Sequence, residues 1–273
     1  MNFCKMHGLG NDFIVIENLQ GNLSLDKFQI VSICDRRYGI GADGVMIVNS
    51  SETCDIKMSF FNSDGSEVEM CGNGIRCFAK YVYDKDIVKK NPIDIETLAG
   101  IKTTFLEIQN SKVIKVQVDM GTPIFESQKI PIDNSKERAI DEKVEFNDHL
   151  IDFSAISMGN PHVVIFVDDL DNYPIKKIGP FIENHSLFPK KTNVNFVQII
   201  DNENIRVVTW ERGAGLTLAC GTGTCASVAI ANYKGFVKKK VNASLPGGNL
   251  LIEIKDTIYM TGEAVTVFEG IIE

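Results

Sequence analysis

Cys71-Gly72-Asn73-Gly74 and Cys220-Gly221-Thr222-Gly223 are one short pattern written twice, 149 residues apart. Adding the same 149 carries Gly10 to Gly159, Asn11 to Asn160, Val45 to Val194 and Asn62 to Glu211. A single offset relating landmarks over much of each half marks an internal duplication. Two like halves predict one thiol presented from each side to the same small molecule.

The 273 residues suit two domains, each large enough for its own core. With 44% hydrophobic and 23% charged residues the composition is that of a globular protein. A formal net charge of -8 argues against a nucleic-acid partner, which would call for a basic face. An anionic metabolite needs only a local positive site and stays open. No apolar run is long enough for a bilayer, so no membrane partner is expected. The opening Met1–Gly8 lacks a basic stretch followed by an apolar one, which favours a cytoplasmic location. Seven irregularly spaced cysteines, an odd number, do not form a disulfide framework and read as reduced thiols.

Short strands dominate the reading: 13–17, 45–48, 56–61, 93–97, 112–119, 163–167, 196–200, 205–210, 250–254 and 265–268 are rich in β-branched and aromatic residues. Helices are expected at 25–38, at 178–184 and after each cysteine motif. In the first of the latter, Ile75, Phe78, Ala79 and Val82 recur at helical spacing. In the second, Ala226, Val228, Ala229 and Ala231 imply a helix buried nearly all round, stopped by Lys234-Gly235. Each motif thus reads strand, cysteine, glycine-rich turn, helix. The polar, proline-bearing segment 122–149 reads as a connection and the opening hairpin of the second domain.

A cysteine at a helix start has its thiolate near the positive end of the helix dipole, and adjacent glycines let backbone N–H groups converge on an anion. A carboxylate held at both helix starts would have its α-carbon between two sulfurs. That suits inversion at an acidic carbon, one sulfur removing a proton and the other returning one to the opposite face. A single buried cysteine is usually just a small apolar residue, but two in matched turns at one offset are hard to dismiss. Cys77 and Cys225, inside the helices, read as core. Zinc is not expected: the Cys71/Cys77 and Cys220/Cys225 spacings are not those of paired ligands and no histidine pair accompanies them. Gly39-Ile40-Gly41-Ala42-Asp43-Gly44 matches a dinucleotide-binding pattern by letter, but a helix precedes it and a strand follows, so it reads as a turn.

Asn11, Asn62, Asn160, Asn193, Glu211 and Arg212 remain as polar landmarks. Any one asparagine beside glycine is most often a turn residue. As a set they suggest recognition of a second charged group, with Arg212 gripping a carboxylate and Glu211 pairing with an ammonium. His162, placed by this reading in a duplicated turn, is a candidate for tuning a cysteine.

The chain resembles the diaminopimelate epimerase family. The matching stretches are His7-Gly8-Leu9-Gly10-Asn11-Asp12-Phe13, Asn62-Ser63-Asp64-Gly65-Ser66, Cys71 to Cys77, Gly159-Asn160-Pro161-His162, Trp210-Glu211-Arg212-Gly213 and Ala219 to Gly223. The resemblance implies an isomerase of lysine and peptidoglycan biosynthesis that converts LL-2,6-diaminopimelate to the meso form without pyridoxal phosphate, metal or other cofactor. It implies Cys71 and Cys220 as base and acid, with Gly72, Asn73, Gly221 and Thr222 holding the reacting end. Asn11, Asn62, Asn160, Asn193, Glu211 and Arg212 would hold the substrate, and His162 and Glu211 would tune the thiols. The implied fold is α+β: two pseudo-symmetric domains, each a curled mixed β-sheet around a central helix, at 1–118 plus 263–273 and at 119–262. A homodimer is the implied assembly. One position departs from part of the family, where glutamine stands in place of Gly44; no side-chain contact is expected from it here.

The rival readings are a two-thiol racemase of another amino acid, a non-catalytic amino-acid-binding protein on the same scaffold, and a thiol–disulfide protein. Glu211 and Arg212 argue against the first, and the presence of both cysteines against the second. The third would show a redox couple and no solvent proton exchange into an amino acid.

Overall fold

The computed structural model describes residues 1–133 and 136–272. Asn134 and Ser135, within the 122–149 connection, and Glu273, at the end of the segment 263–273, lie outside the described residues. Elements are numbered along the chain. The first unit contains β1 (Asn2–Gly8), β2 (Asn11–Asn18), α1 (Lys27–Cys34), β3 (Gly44–Asn49), β4 (Ile56–Asn62), β5 (Glu67–Val68), α2 (Gly72–Asp84), β6 (Ile93–Thr97), β7 (Gly100–Gln109) and β8 (Lys112–Asp119). The second contains β9 (Glu142–Phe146), β10 (His149–Ser157), β11 (Pro161–Phe166), α3 (Ile175–Glu183), β12 (Asn193–Ile199), β13 (Asn204–Glu211), β14 (Gly215–Leu216), α4 (Gly221–Tyr233), β15 (Lys240–Leu245) and β16 (Gly248–Ile254). β17 (Ile258–Glu263) carries the chain back, and β18 (Val265–Ile271) pairs antiparallel with β1. By Cα proximity the units are Met1–Asp119 with Thr261–Glu273, and Met120–Met260.

The fold is α+β, and the duplication persists at the level of strand register. In the first unit β2 and β3 are parallel with Phe13 opposite Gly44, β3 and β4 antiparallel with Val45 opposite Phe61, and β4 and β5 antiparallel with Phe60 opposite Val68. In the second, β11 and β12 pair His162 with Asn193, β12 and β13 pair Val194 with Trp210, and β13 meets β14 through Trp210 and Leu216. All three pairings superpose on adding 149 (13 to 162, 44 to 193, 45 to 194, 61 to 210, and Glu67, opposite Phe61, to Leu216). The parallel steps make both sheets mixed. The offset slips by one where the β1–β2 turn, closed by Gly8 and Asn11, is a residue shorter than the β10–β11 turn closed by Ser157 and Pro161.

Each sheet wraps its cysteine helix. α2 packs on β1, β2, β3, β7 and β8, and α4 on β10, β11, β12, β13 and β16. Ile75, Phe78, Ala79 and Val82 are buried along α2. Burying each large apolar side chain contributes roughly 1.5–3 kcal/mol. α4 is buried continuously from Gly223 to Ala231, and its many small residues let strands approach on all sides. It ends where Gly235 takes a left-handed φ of 76° and donates to Asn232, while Phe236 N–H reaches Ala231.

The structure corrects several local expectations. The glycines of both motifs do not form a turn ahead of the helix: Cys71 and Cys220 are themselves the N-caps, and the glycines are its first helical turn. α1 is shorter than 25–38, because Asp26 and Gln29 form a capping box at one end and Asp35 accepts from Arg37 and Tyr38 N–H at the other. His162 lies in strand β11, not in a turn. In segment 122–149 the hairpin is β9–β10, turning at Asn147 and Asp148, both with positive φ.

Candidate active site

In the first unit Cys71 caps α2 from an extended backbone (φ -134°, ψ 123°) and is half-buried. Its sulfur lies 3.7 Å from Asn11 Oδ1, which also accepts from Asn73 Nδ2 at 3.2 Å. Asn11 is held from behind: its Nδ2 donates to Asp43 Oδ2 at 2.7 Å. Arg36 spans Asp12 and Asp43, and Lys5 adds a 2.7 Å ion pair to Asp12. Burial works against the Asp12 charge, but hydrogen bonds from Arg36 and Lys5 win and hold its carboxyl well below the usual carboxylate range. Asn73 is fixed by Arg76, fully buried, whose Nη2 donates to Asn73 Oδ1 at 3.0 Å and whose Nη1 donates to Gly72 O at 3.1 Å. Asn62 stands exposed at the end of β4, its Nδ2 donating to Ser66 Oγ at 3.2 Å.

In the second unit Cys220 caps α4, and its sulfur accepts from Gly223 N–H at 3.4 Å and lies 3.6 Å from Thr222 Oγ1. Asn160 Nδ2 donates to Thr222 Oγ1 at 3.5 Å. This repeats the Asn11–Asn73 pair at the 149 offset, with donor and acceptor exchanged. His162 Nε2 is 3.0 Å from Asn160 Oδ1, and Asn195 Nδ2 is 3.3 Å from His162 Nδ1 and donates to Val163 O at 2.9 Å. Thr209 Oγ1 donates to Asn195 Oδ1 at 3.0 Å. His162 is completely buried; burial first, and the Arg212 charge second, push its imidazole down to about 3, so it is neutral at physiological pH. Asn193 bridges Pro161 O and the Arg212 N–H. The Arg212 guanidinium is exposed and touches Lys190 O at 3.1 Å, while Glu211 accepts from Thr217 Oγ1 at 2.6 Å.

Each unit therefore gathers a cysteine, a helix N-terminus and an asparagine bonded to the second residue of that helix. Gly72 and Gly221 sit in the first helical turns, whose N–H groups have no intrahelical partner and can hold a carboxylate oxygen. Cys77 is fully buried with its thiol pushed up to about 12 by burial, which makes it inert core; Cys225 is buried likewise. A Cβ at Gly44 would lie 2.5 Å from Phe61 O and 2.7 Å from Phe60 Cε2, so this β3 leaves no room for a side chain there. Two cavities of the first unit, about 620 and 430 Å³, open around Cys4, Tyr81 and Glu269 rather than Cys71. Among the described residues no three His, Cys, Asp or Glu side chains converge as a metal site, and no helix is long and apolar enough to cross a membrane.

The residues that sequence reasoning passed over are Asp43, Arg76, Asn195 and Thr209. A signal existed for two of them. At the 149 offset Phe13, Met46 and Phe60 become His162, Asn195 and Thr209, an apolar layer turned polar at three aligned places.

A relative from Caldanaerobacter subterraneus subsp. tengcongensis, named diaminopimelate epimerase, is 50% identical over the full length of both chains. One of the same name from Methanococcus maripaludis is 48% identical, again over the full length of both. A solved Bacillus anthracis phenazine biosynthesis protein of the PhzF family shares the fold, with a TM-score of 0.72 at 18% identity over 99% of this chain and 98% of its own. The sequence profile of diaminopimelate epimerases matches residues 3–126 and 154–267. The chain belongs to the diaminopimelate epimerase family.

Proposed function

We propose that this protein epimerises LL-2,6-diaminopimelate to meso-diaminopimelate, with Cys71 and Cys220 as a two-thiol acid–base pair. The observation that carries the reading is the repetition of one arrangement: a cysteine N-cap with an asparagine bonded to the second residue of its helix, Asn11 to Asn73 in one unit and Asn160 to Thr222 in the other. One sulfur, as thiolate, takes the α-proton of the reacting end. The reacting carboxylate, held at the N–H groups around Gly72, Asn73, Gly221 and Thr222, carries the negative charge that forms. Each well-aimed donor in such a role is worth about 3 kcal/mol of barrier. The other sulfur, as thiol, gives its proton to the opposite face. The two sulfurs end with exchanged protonation states, and exchange with solvent resets them.

Specificity for a substrate with two amino-acid ends falls to Asn11, Asn62, Asn160, Asn193, Glu211 and Arg212. Arg212 offers a planar two-point grip for the distal carboxylate, and Glu211 a charge for an ammonium. His162 and Glu211 tune the thiols. The test is incubation of purified, dialysed protein with LL-diaminopimelate and a chelator, followed by chiral chromatography. Appearance of the meso form, with no inversion of proline, alanine or lysine, supports this reading. Inversion of a simple amino acid in its place moves the protein to the two-thiol racemase reading, and binding without inversion to the non-catalytic amino-acid-binding reading.

A cytoplasmic homodimer completes the proposal. Reduced thiols suit that compartment, and β18 leaves Val265, Val267, Phe268 and Ile271 exposed, an apolar edge that a second copy would cover. Sedimentation equilibrium decides between dimer and monomer.

A further inference from the structure

The hydrogen bonds around the two cysteines have directions, and the directions differ. In the second unit they are set by one backbone carbonyl. Val163 O can only accept, so the group of Asn195 facing it at 2.9 Å is its NH2. Asn195 Oδ1 therefore faces Thr209, whose hydroxyl must donate. The second Asn195 hydrogen points at His162 Nδ1, which is thereby an acceptor, and the proton of the neutral imidazole is on Nε2. That Nε2–H donates to Asn160 Oδ1, so the Asn160 NH2 faces Thr222 Oγ1. Accepting from Asn160 with one of its two lone pairs, the Thr222 hydroxyl keeps its own O–H to give to Cys220 Sγ, 3.6 Å away, when that sulfur is the thiolate. The Gly223 N–H at the helix start points to the same sulfur. Two donors converge on Cys220, and a Cβ at Gly223 would collide with Asn195 Oδ1.

In the first unit two charged groups set the directions the other way. Asp43 carboxylate can only accept, so Asn11 presents its NH2 to it and its Oδ1 to Cys71. Arg76 can only donate, so Asn73 presents Oδ1 to it and NH2 to the same Asn11 oxygen. An amide oxygen 3.7 Å from a sulfur suits an S–H and opposes an S⁻. Cys71, unlike Cys220, makes no side-chain cap bond to its helix.

We propose that Thr209 and Asn195 are positioning residues that orient this hydrogen-bond chain so that the substrate-free protein rests with Cys220 as thiolate and Cys71 as thiol. The inference rests on the reading of these cysteines as the acid–base pair and adds which of them begins as base. The resting protein is then ready for the isomer whose α-hydrogen meets Cys220: that sulfur takes the proton, Cys71 gives up its own, and the opposite isomer meets the exchanged pair. The charged side chains of the two networks are Lys5, Asp12, Arg36, Asp43 and Arg76 in the first unit and Glu211 and Arg212 in the second.

The test is iodoacetamide alkylation of the full-length, substrate-free protein across pH, with Cys71 and Cys220 followed separately by peptide mass spectrometry. Accessibility scales the rate; the pH midpoint reports the thiolate. Cys220 should have the lower midpoint, with on the order of tenfold more thiolate than Cys71 at neutral pH, the scale of a hydrogen bond to a charged group. Thr209→Val should raise the Cys220 midpoint and leave that of Cys71, and Thr209→Ser should restore it. Asn195→Asp, which keeps the size but removes the NH2, should act like Thr209→Val. Equal or reversed midpoints in the unmodified protein overturn the proposal without any variant having to fold. So does a Thr209→Val midpoint that stays put. Substrate is absent from this experiment, so failure of the epimerase reading would appear in turnover and leave these midpoints in place.

Discussion

The layer that backs the Cys71 turn is apolar and the layer that backs the Cys220 turn is polar. A Cβ at Gly74 would lie 3.3 Å from Met46 Sδ and 3.6 Å from Phe13 Cζ, and Phe13 meets Phe60 edge-on with ring centres 5.7 Å apart. At the same places the second unit has Asn195, His162 and Thr209, joined by hydrogen bonds. Met46 faces Phe60 across its strand pair as Asn195 faces Thr209 across the other. One backbone framework thus carries two side-chain chemistries. Strand register and helix placement survive duplication because burial and hydrogen bonding over whole strands enforce them. Three side chains under one helix can change together without disturbing that framework. The outer rims differ too: Asn62-Ser63 in the first unit stands where Glu211-Arg212 stands in the second, so only the second is charged at these two positions.

If the halves are equivalent in chemistry, neither thiol is dispensable. Cys71→Ala and Cys220→Ala should each cut epimerisation by 10³-fold or more, the scale of a lost general acid or base, with the thermal midpoint little changed. Full turnover by either folded variant would break the pairing of the half-sites. The rim comparison gives a smaller effect. Arg212→Lys keeps the charge but not the planar grip, and kcat/KM should fall by roughly 10- to 100-fold; an unchanged value would remove Arg212 from substrate recognition.

The polar layer should also show in acid stability. His162 is pushed from 6.5 to about 3 in the folded protein, so between those values the unfolded chain binds the extra proton. The stability tied to a neutral His162 is intact above about 6.5 and is lost as pH falls toward 3, at up to about 1.4 kcal/mol per pH unit. Urea unfolding at pH 7 and pH 5 should give a shallower loss for His162→Gln, whose first-unit counterpart Phe13 never titrates. Identical slopes would mean that the imidazole is not held neutral by burial.

What the sequence disclosed follows the same division. The cysteine helices were legible because Ile75, Phe78 and Val82 keep helical spacing and because the two motifs share an offset; both helices are 13 residues long. β1 escaped reading because Lys5 interrupts its apolar run, and Lys5 is buried by virtue of Asp12 and the Gly41 carbonyl, partners that appear after folding. β7 escaped because its apolar residues face both ways: Ile101 and Phe105 are exposed while Leu106 is buried. Around the candidate site, residues carried by motifs were named from the sequence, and Asn195 and Thr209 were not, since each sits in a strand where a lone polar residue looks incidental. Arg76 lies inside the Cys71 to Cys77 motif, but its role as the anchor of Asn73 depends on a bond across one helical turn.

The central claim is that two thiols act on opposite faces of one carbon, and isotope placement in the first turnovers tests it most directly. With LL-diaminopimelate in D2O, the account predicts meso product carrying one deuterium at the inverted carbon, while recovered LL substrate stays unlabelled. Deuterium appearing in the recovered LL form as fast as in the product, or inversion with the original hydrogen retained, would contradict it, since either result points to a single base serving both faces.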